Sequence, residues 1–326
     1  MSAVHVDPEV DVALAVDLGD LVLPTPVLAA SGCFGSGKEM SEAIDLTGIG
    51  GIVTKSVTLE PRHGLPVPRM AETDSGMLNA IGLQNPGVEE FLAKDGPVIE
   101  SLGVPVIVSI AGSTVEEYAR VAMMVRDLPG VVAIEANISC PNVARRNQVF
   151  ACHPDMASEV IGTMSRLSRQ PVFAKLTADV TNIVDVAQAC VRAGAQGLSL
   201  INTLLGMAID VERMRPKLGS ITGGLSGPAI RPVAVRCVYQ VAQALPGVPI
   251  FGIGGVRTAE NALELMMAGA SAVQVGTANF FDPGATIEVA RGIEAFLRRR
   301  GLASPADVVG RVQTEHAIPE PSYRGG

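Results

Sequence analysis

Eight short apolar runs, each closed by small or polar residues, recur along this chain and dictate its architecture. They are VLAAS at 27–31, GIVTKS at 51–56, PVIVSIAG at 105–112 and VAIEANIS at 132–139, followed by PVFAKL at 171–176, GLSLINT at 197–203, PIFGIGG at 249–255 and AVQVGTA at 272–278. Hydrophobicity that runs on without alternating belongs to strands covered on both faces, the condition of a parallel sheet. Helical patterns fill the intervals: VEEYARVAMMVRDL behind a Ser113-Thr114 cap, then DMASEVIGTMSRLSR, NIVDVAQACVRAG, AIRPVAVRCVYQVAQAL, TAENALELMMAGA and GATIEVARGIEAFLRRR.

Eight strands alternating with helices predict an α/β chain closed into a TIM (β/α)8 barrel. An open doubly wound sheet is the rival, but SGCFGSG at 31–37 has the wrong spacing for a dinucleotide turn after the first strand. A preceding N-terminal β-hairpin, VALAVDLGDLVLP, is expected to plug the barrel's N-terminal end. Two excursions exceed ordinary βα loops, 57–104 and 204–228, and long loops at that face usually build the site. With no internal repeat and no boundary, residues 1–326 are expected to form one domain with a core of about 20–300.

Composition narrows the class. A hydrophobic share of 48% against 18% charged residues implies a sizeable core rather than disorder. The net charge of −8 argues against a nucleic-acid-coating surface. Five scattered cysteines and four histidines without a metal-binding spacing offer neither a disulfide framework nor a metal or iron–sulfur site. No stretch of 18 uncharged apolar residues predicts a membrane span, and the acidic N-terminus does not resemble a signal peptide, so a cytoplasmic location is expected.

In a barrel the reactive groups stand at strand C-terminal ends. In chain order these are Ser31, Lys55 with Ser56, Ser109, Asn137, Lys175, Asn202 with Thr203, Gly254-Gly255 and Gly276-Thr277. Two lysines closing apolar strands either pair with carboxylates or supply a positive field for an anion or an electron-rich ring. Glycines after strands seven and eight either make tight turns or cradle a phosphate. Cys140 in NISCPN is either an inert small hydrophobe, a nucleophile or a general acid/base. With no histidine in that strand end, although His153 follows in the same loop, general base is preferred. Asn79, Asn137, Asn142 and Asn202 offer donors and acceptors for a planar, amide-rich ligand.

TKS at 54–56, PVPRM with the acid of MAET behind it, MLNAIGLQNPG at 77–87 and NISCPN at 137–142 resemble the class 1 dihydroorotate dehydrogenases. AKLTADVTNI, SLINTLLGMAID, TGGLSGPAI, GIGG and AVQVGTANF extend the resemblance over residues 20–297, with a flavour of the NAD-linked subclass 1B. The resemblance implies an FMN-binding barrel that oxidises (S)-dihydroorotate to orotate in pyrimidine biosynthesis. It implies FMN contacts from Ser31, Lys55, Ser56, Ser109, Asn137, Lys175, Ile201, Gly227, Gly254, Gly255, Gly276 and Thr277. Substrate contacts are implied for Lys55, Asn79, Ala80, Ile81, Gly82, Leu83, Asn137, Asn202 and Thr203, with Asn142 added.

Cys140 is then the implied base that takes a proton from C5 as hydride leaves C6 for the flavin, and Lys175 the residue that stabilises the charge arriving on the ring. Also implied are a partner subunit carrying FAD and a [2Fe–2S] centre, NAD+ as final acceptor, and a heterotetramer around a homodimer core. The chain departs from the family pattern at Leu65, at Ala136, in the loop at 143–153 and in TADVTN, which puts the lid's shape and the substrate choice at issue. Three alternatives stay open: an FMN-dependent dihydropyrimidine dehydrogenase, a fumarate-linked class 1A enzyme, and a Schiff-base aldolase using Lys55 or Lys175. A purely structural barrel fits least, because it leaves both lysines and the cysteine without a reason.

Overall fold

The computed structural model describes residues 11–139 and 150–314. Eight parallel strands close into a barrel: β1 Val27–Ala29, β2 Gly51–Val53, β3 Val106–Ile110, β4 Val131–Asn137, β5 Val172–Leu176, β6 Gly197–Leu200, β7 Ile250–Ile253 and β8 Ala272–Val275. They neighbour one another in chain order, and β8 pairs with β1 to close the ring. Every strand residue but the half-buried Val132 is buried, as their unbroken apolar character requires.

Helices α1 Lys38–Ala43, α2 Val88–Lys94, α3 Gly96–Ser101, α4 Val115–Val125, α5 Pro154–Leu167, α6 Ile183–Arg192, α7 Arg231–Ala244, α8 Ala259–Ala268 and α9 Ala285–Arg300 connect the strands. Local chemistry sets their ends. Thr114 Oγ1 accepts from the Glu117 amide at 3.2 Å to start α4, and Asn182 Oδ1 accepts from the Val184 amide at 3.1 Å to start α6. Helix α6 buries Ile183, Val186, Ala187 and Cys190, one stripe at helical spacing. Gly301 takes a left-handed φ of 65° to end α9 just past three arginines.

The N-terminal hairpin pairs Val16–Asp17 with Val22–Leu23 and closes the barrel floor. Val16, Leu18, Leu21 and Leu23 pack among the inward residues Leu28, Val53, Ile107, Phe173 and Phe251. Phe173 and Phe251 meet with ring centroids 4.7 Å apart. Burying each of these side chains stabilises the fold by about 1.5–3 kcal/mol.

At the opposite end the two long excursions build a single structure. Strands Met70–Thr73 and Gly76–Asn79 from the first join Gly223–Ser226 and Leu204–Gly206 from the second in one four-stranded antiparallel sheet. Residues separated by some 150 positions thus form a common roof beside the strand ends. Among the described residues, no helix is long and apolar enough to cross a membrane.

Candidate active site

Between the strand ends and this roof lies a cavity of about 700 Å³. Ser31, Lys55, Ser56, Asn137, Lys175, Ile201, Asn202 and Thr203 line it from the barrel. Asn79, Ile81, Gly82 and Leu83 line it from the first excursion, and Gly227, Gly254, Gly255, Gly276 and Thr277 close another wall. Two candidates stand back from it. Ala80 turns into a small apolar cluster with Leu78 and Leu218, and Ser109 is fully buried below the cavity. Cys140 and Asn142 lie outside the described residues, as does most of the 143–153 loop.

The floor is a directed chain of hydrogen bonds. Asn137 Nδ2 donates to Ser56 Oγ at 2.9 Å, Ser56 Oγ lies 2.9 Å from Ser109 Oγ, and Ser109 Oγ donates to Glu135 Oε1 at 3.4 Å. On its other side, Asn137 Oδ1 accepts from Asn202 Nδ2 and Ser139 Oγ, each at 3.3 Å, and Asn202 Nδ2 also reaches Ser139 Oγ at 2.9 Å. The buried Tyr118 hydroxyl fixes the Asn137 carbonyl at 2.9 Å. Strand register makes this possible, because Ser109 lies level with Glu135 and Asn137 with Lys175.

Lys175 is 5% exposed and donates from Nζ to Glu135 Oε1 at 3.0 Å, while Gln274 Nε2 donates to Glu135 Oε2 at 3.2 Å. The expected field of two lysines is therefore corrected on one side: Glu135 balances Lys175. Lys55 lines the cavity from just past the end of β2, and its backbone amide donates to Gly35 O at 2.8 Å. Cys33 shares the cavity. Burial pushes its thiol up to about 11, although the charges of Lys175 and Lys55 pull the other way.

The glycines divide into two kinds. Gly254 and Gly255 have φ of 128° and 71°, and a Cβ there would come within 2.9 Å of Ala234 Cβ and 2.6 Å of Arg231 Cβ. Both are required by the turn and the close packing of α7. Gly276 is different. Its φ is negative, and the nearest atoms to a Cβ would be Ala30 Cβ at 3.7 Å and Cys33 Sγ at 3.9 Å. The protein itself leaves room there, so the missing side chain keeps cavity space open. Thr277 Oγ1 donates to Ser226 Oγ at 2.8 Å, which ties the end of β8 to the roof.

The loop at 79–87 is held by Asn85. Its Oδ1 accepts from the Thr58 and Gly87 amides at 3.2 and 2.9 Å, and its Nδ2 donates to Thr58 Oγ1 and Leu83 O, each at 2.8 Å. That clamp keeps Leu83 at a φ of 55°, a conformation costing about 1 kcal/mol or more for a branched side chain. Two departures from the family pattern acquire places here. Leu65 packs with the Leu78 cluster and covers Gly82, while Asp179 accepts from the Leu205 amide at 2.9 Å and fastens the roof to the end of β5. Ala136 faces outward from β4 into the main core.

Glu135, Gln274, Ser139 and Asn85 are not among the strand-end candidates, yet they hold those candidates in place. A carboxylate inside the apolar run VAIEANIS and an amide inside AVQVGTA were the available signals.

The family model for dihydroorotate dehydrogenase matches residues 13–297. The chain is 51% identical over 300 residues to the dihydroorotate dehydrogenase B (NAD(+)) catalytic subunit of Geotalea daltonii, covering 92% of this chain and 98% of the relative. It is 50% identical over 298 residues to the protein of the same name from Geobacillus kaustophilus, covering 91% and 95%. A crystal structure of DHODH from Eimeria tenella in complex with ferulenol superposes with a TM-score of 0.78 over 96% of this chain and 90% of that one; at 21% identity the likeness is one of fold.

Proposed function

The chain belongs to the dihydroorotate dehydrogenase family, and we propose that it performs that family's reaction in the cavity at the barrel mouth, with Cys140 as general base. It is an FMN-dependent oxidoreductase that converts (S)-dihydroorotate to orotate in pyrimidine biosynthesis. The observation that carries the assignment of the site is the convergence of Lys55, Asn79, Asn137, Lys175 and Asn202 on one cavity opposite a glycine wall.

The residues present fit FMN. The open space at Gly276 suits a phosphate approaching the backbone, with Gly254, Gly255 and Thr277 beside it. Lys55, Ser31, Ser56, Ile201 and Gly227 complete the proposed cradle, and Ser109 supports it from beneath. When bound, FMN supplies the hydride acceptor. The chain's own groups do the rest. The amides of Asn79, Asn137 and Asn202, the hydroxyl of Thr203 and the turn at Ile81–Leu83 hold the pyrimidine ring, with Asn142 a further contact. Lys55 meets the substrate's carboxylate. Cys140 thiolate takes the proton from C5, and Lys175 offers its remaining N–H groups to the negative charge that develops above the floor.

The chain acts as a catalytic subunit beside a partner. We assign that partner FAD and a [2Fe–2S] centre, NAD+ as the final acceptor, and a heterotetramer around a homodimer of this chain in the cytoplasm. The names of the relatives, which specify NAD(+) and a catalytic subunit, support the acceptor and the existence of a partner. An exposed apolar stretch of the second excursion, Leu205, Met207, Ile209, Val211 and Met214, also supports a docked partner. The test is acceptor choice. The isolated chain should pass electrons from dihydroorotate to artificial dyes but not to NAD+, and should gain NAD+ reduction with its partner. Rapid turnover of the isolated chain with fumarate would overturn the partner and leave the dihydroorotate reaction standing.

A further inference from the structure

We infer that Glu135 is a positioning residue that sets the polarity of the whole cavity floor, aiming the Asn137 amide through Ser109 and Ser56 and holding the Lys175 ammonium from the other side. The inference rests on the reading of this cavity as the FMN and dihydroorotate site.

A carboxylate that is 1% exposed inside a barrel is costly unless it is paired and fully hydrogen-bonded. Here both oxygens have donors: Lys175 and Ser109 on Oε1, Gln274 on Oε2. An ionised carboxylate only accepts, whereas a serine hydroxyl or an asparagine amide can present either polarity. Glu135 therefore removes the ambiguity. Ser109 must donate to it, which leaves the Ser109 oxygen to accept from Ser56, and the Ser56 oxygen to accept from the Asn137 N–H. The Asn137 carbonyl oxygen is then turned toward Asn202 and Ser139. The same carboxylate draws one N–H of Lys175 downward, away from the cavity that Lys175 also lines, and balances the charge of that ammonium.

Glu135→Gln keeps the shape and removes both the charge and the fixed acceptor. In the FMN-loaded enzyme, two equilibrium measurements read the two effects. The midpoint potential of bound FMN, titrated against a reference dye, should shift positive, because Lys175 is no longer balanced. The shift should vanish when Lys175→Met is also present. Orotate affinity, read from the perturbed flavin spectrum, should fall about tenfold, the scale of one misdirected buried hydrogen bond. A carboxylate that only stabilises the barrel would lower Tm and move neither.

Folded Glu135→Gln protein with a native potential or native orotate affinity overturns the inference. Should that variant not fold, Ser109→Ala cuts the chain while sparing the ion pair: orotate binding should weaken at an unchanged potential, and native orotate affinity would again overturn it. Native protein that neither carries nor takes up FMN would instead defeat the reading of the site itself.

Discussion

The side-chain amide of Asn137 donates to the hydroxyl of Ser56 across 2.9 Å, joining the end of β4 to the end of β2 beneath the cavity. The candidate amide is thus part of a rigid floor and does not swing freely in a loop.

Removing one end of this contact should show in turnover. Ser56→Ala should raise KM for dihydroorotate by about three- to tenfold, the worth of one partly buried hydrogen bond. Asn137→Ala should cost about 10²-fold in kcat/KM, because the ring loses both an anchor and its orientation. Steady-state kinetics with a dye acceptor checks both, and native kcat/KM for Asn137→Ala would exclude the amide from the site.

Cys140→Ala should keep FMN bound and slow its reduction by dihydroorotate about 10²–10⁴-fold, the usual scale for a lost general base. Cys140→Ser should retain some activity with its optimum moved to higher pH, since a hydroxyl gives up its proton less readily. Stopped-flow absorbance under anaerobic conditions measures both, and a native rate for the alanine variant rules the thiol out.

The two kinds of glycine should separate cleanly. Gly276→Val should deplete bound FMN while leaving the Tm of the flavin-free protein nearly unchanged, because little but open cavity faces the new side chain. Gly255→Val should lower that Tm as well, since its φ of 71° and the Arg231 Cβ 2.6 Å away oppose any side chain. Flavin content by absorbance and Tm by thermal melting together decide it.

Burial pushes the Cys190 thiol from an ordinary 9.0 to about 12. Between these values the folded chain holds a proton that the unfolded chain has released, so stability is present below about pH 9 and declines as pH rises toward 12. Cys190→Ala should be less stable at pH 7, through the cavity it leaves, yet lose less further stability between pH 8 and about 10.5. Urea midpoints at the two pH values test this, and parallel losses in both proteins would contradict it.

The barrel was legible because β1–β8 are covered on both faces and so carry unbroken apolar runs. The hairpin was legible through Leu18, Leu21 and Leu23 beside Gly19. The strand-end rule then picked out Lys55, Asn137, Lys175 and Asn202, all of which line the cavity. Glu135 escaped that rule because it sits two residues inside its strand, where only the closed barrel brings Lys175 and Gln274 to it. Ser109 closes an apolar run but turns inward below the mouth, so position alone overstated its access. The roof escaped as well. Its strands pair over about 150 residues, as Met77 does with Ser226, and no local periodicity records such a partner.

The most direct measurement is anaerobic mixing of the purified, FMN-loaded chain with dihydroorotate while the flavin absorbance is followed. Prompt bleaching in the native protein, with orotate formed one for one with flavin reduced, is the predicted result. Flavin that stays oxidised under saturating dihydroorotate, in protein that dithionite still bleaches, would contradict the assignment of this cavity as the site of the reaction.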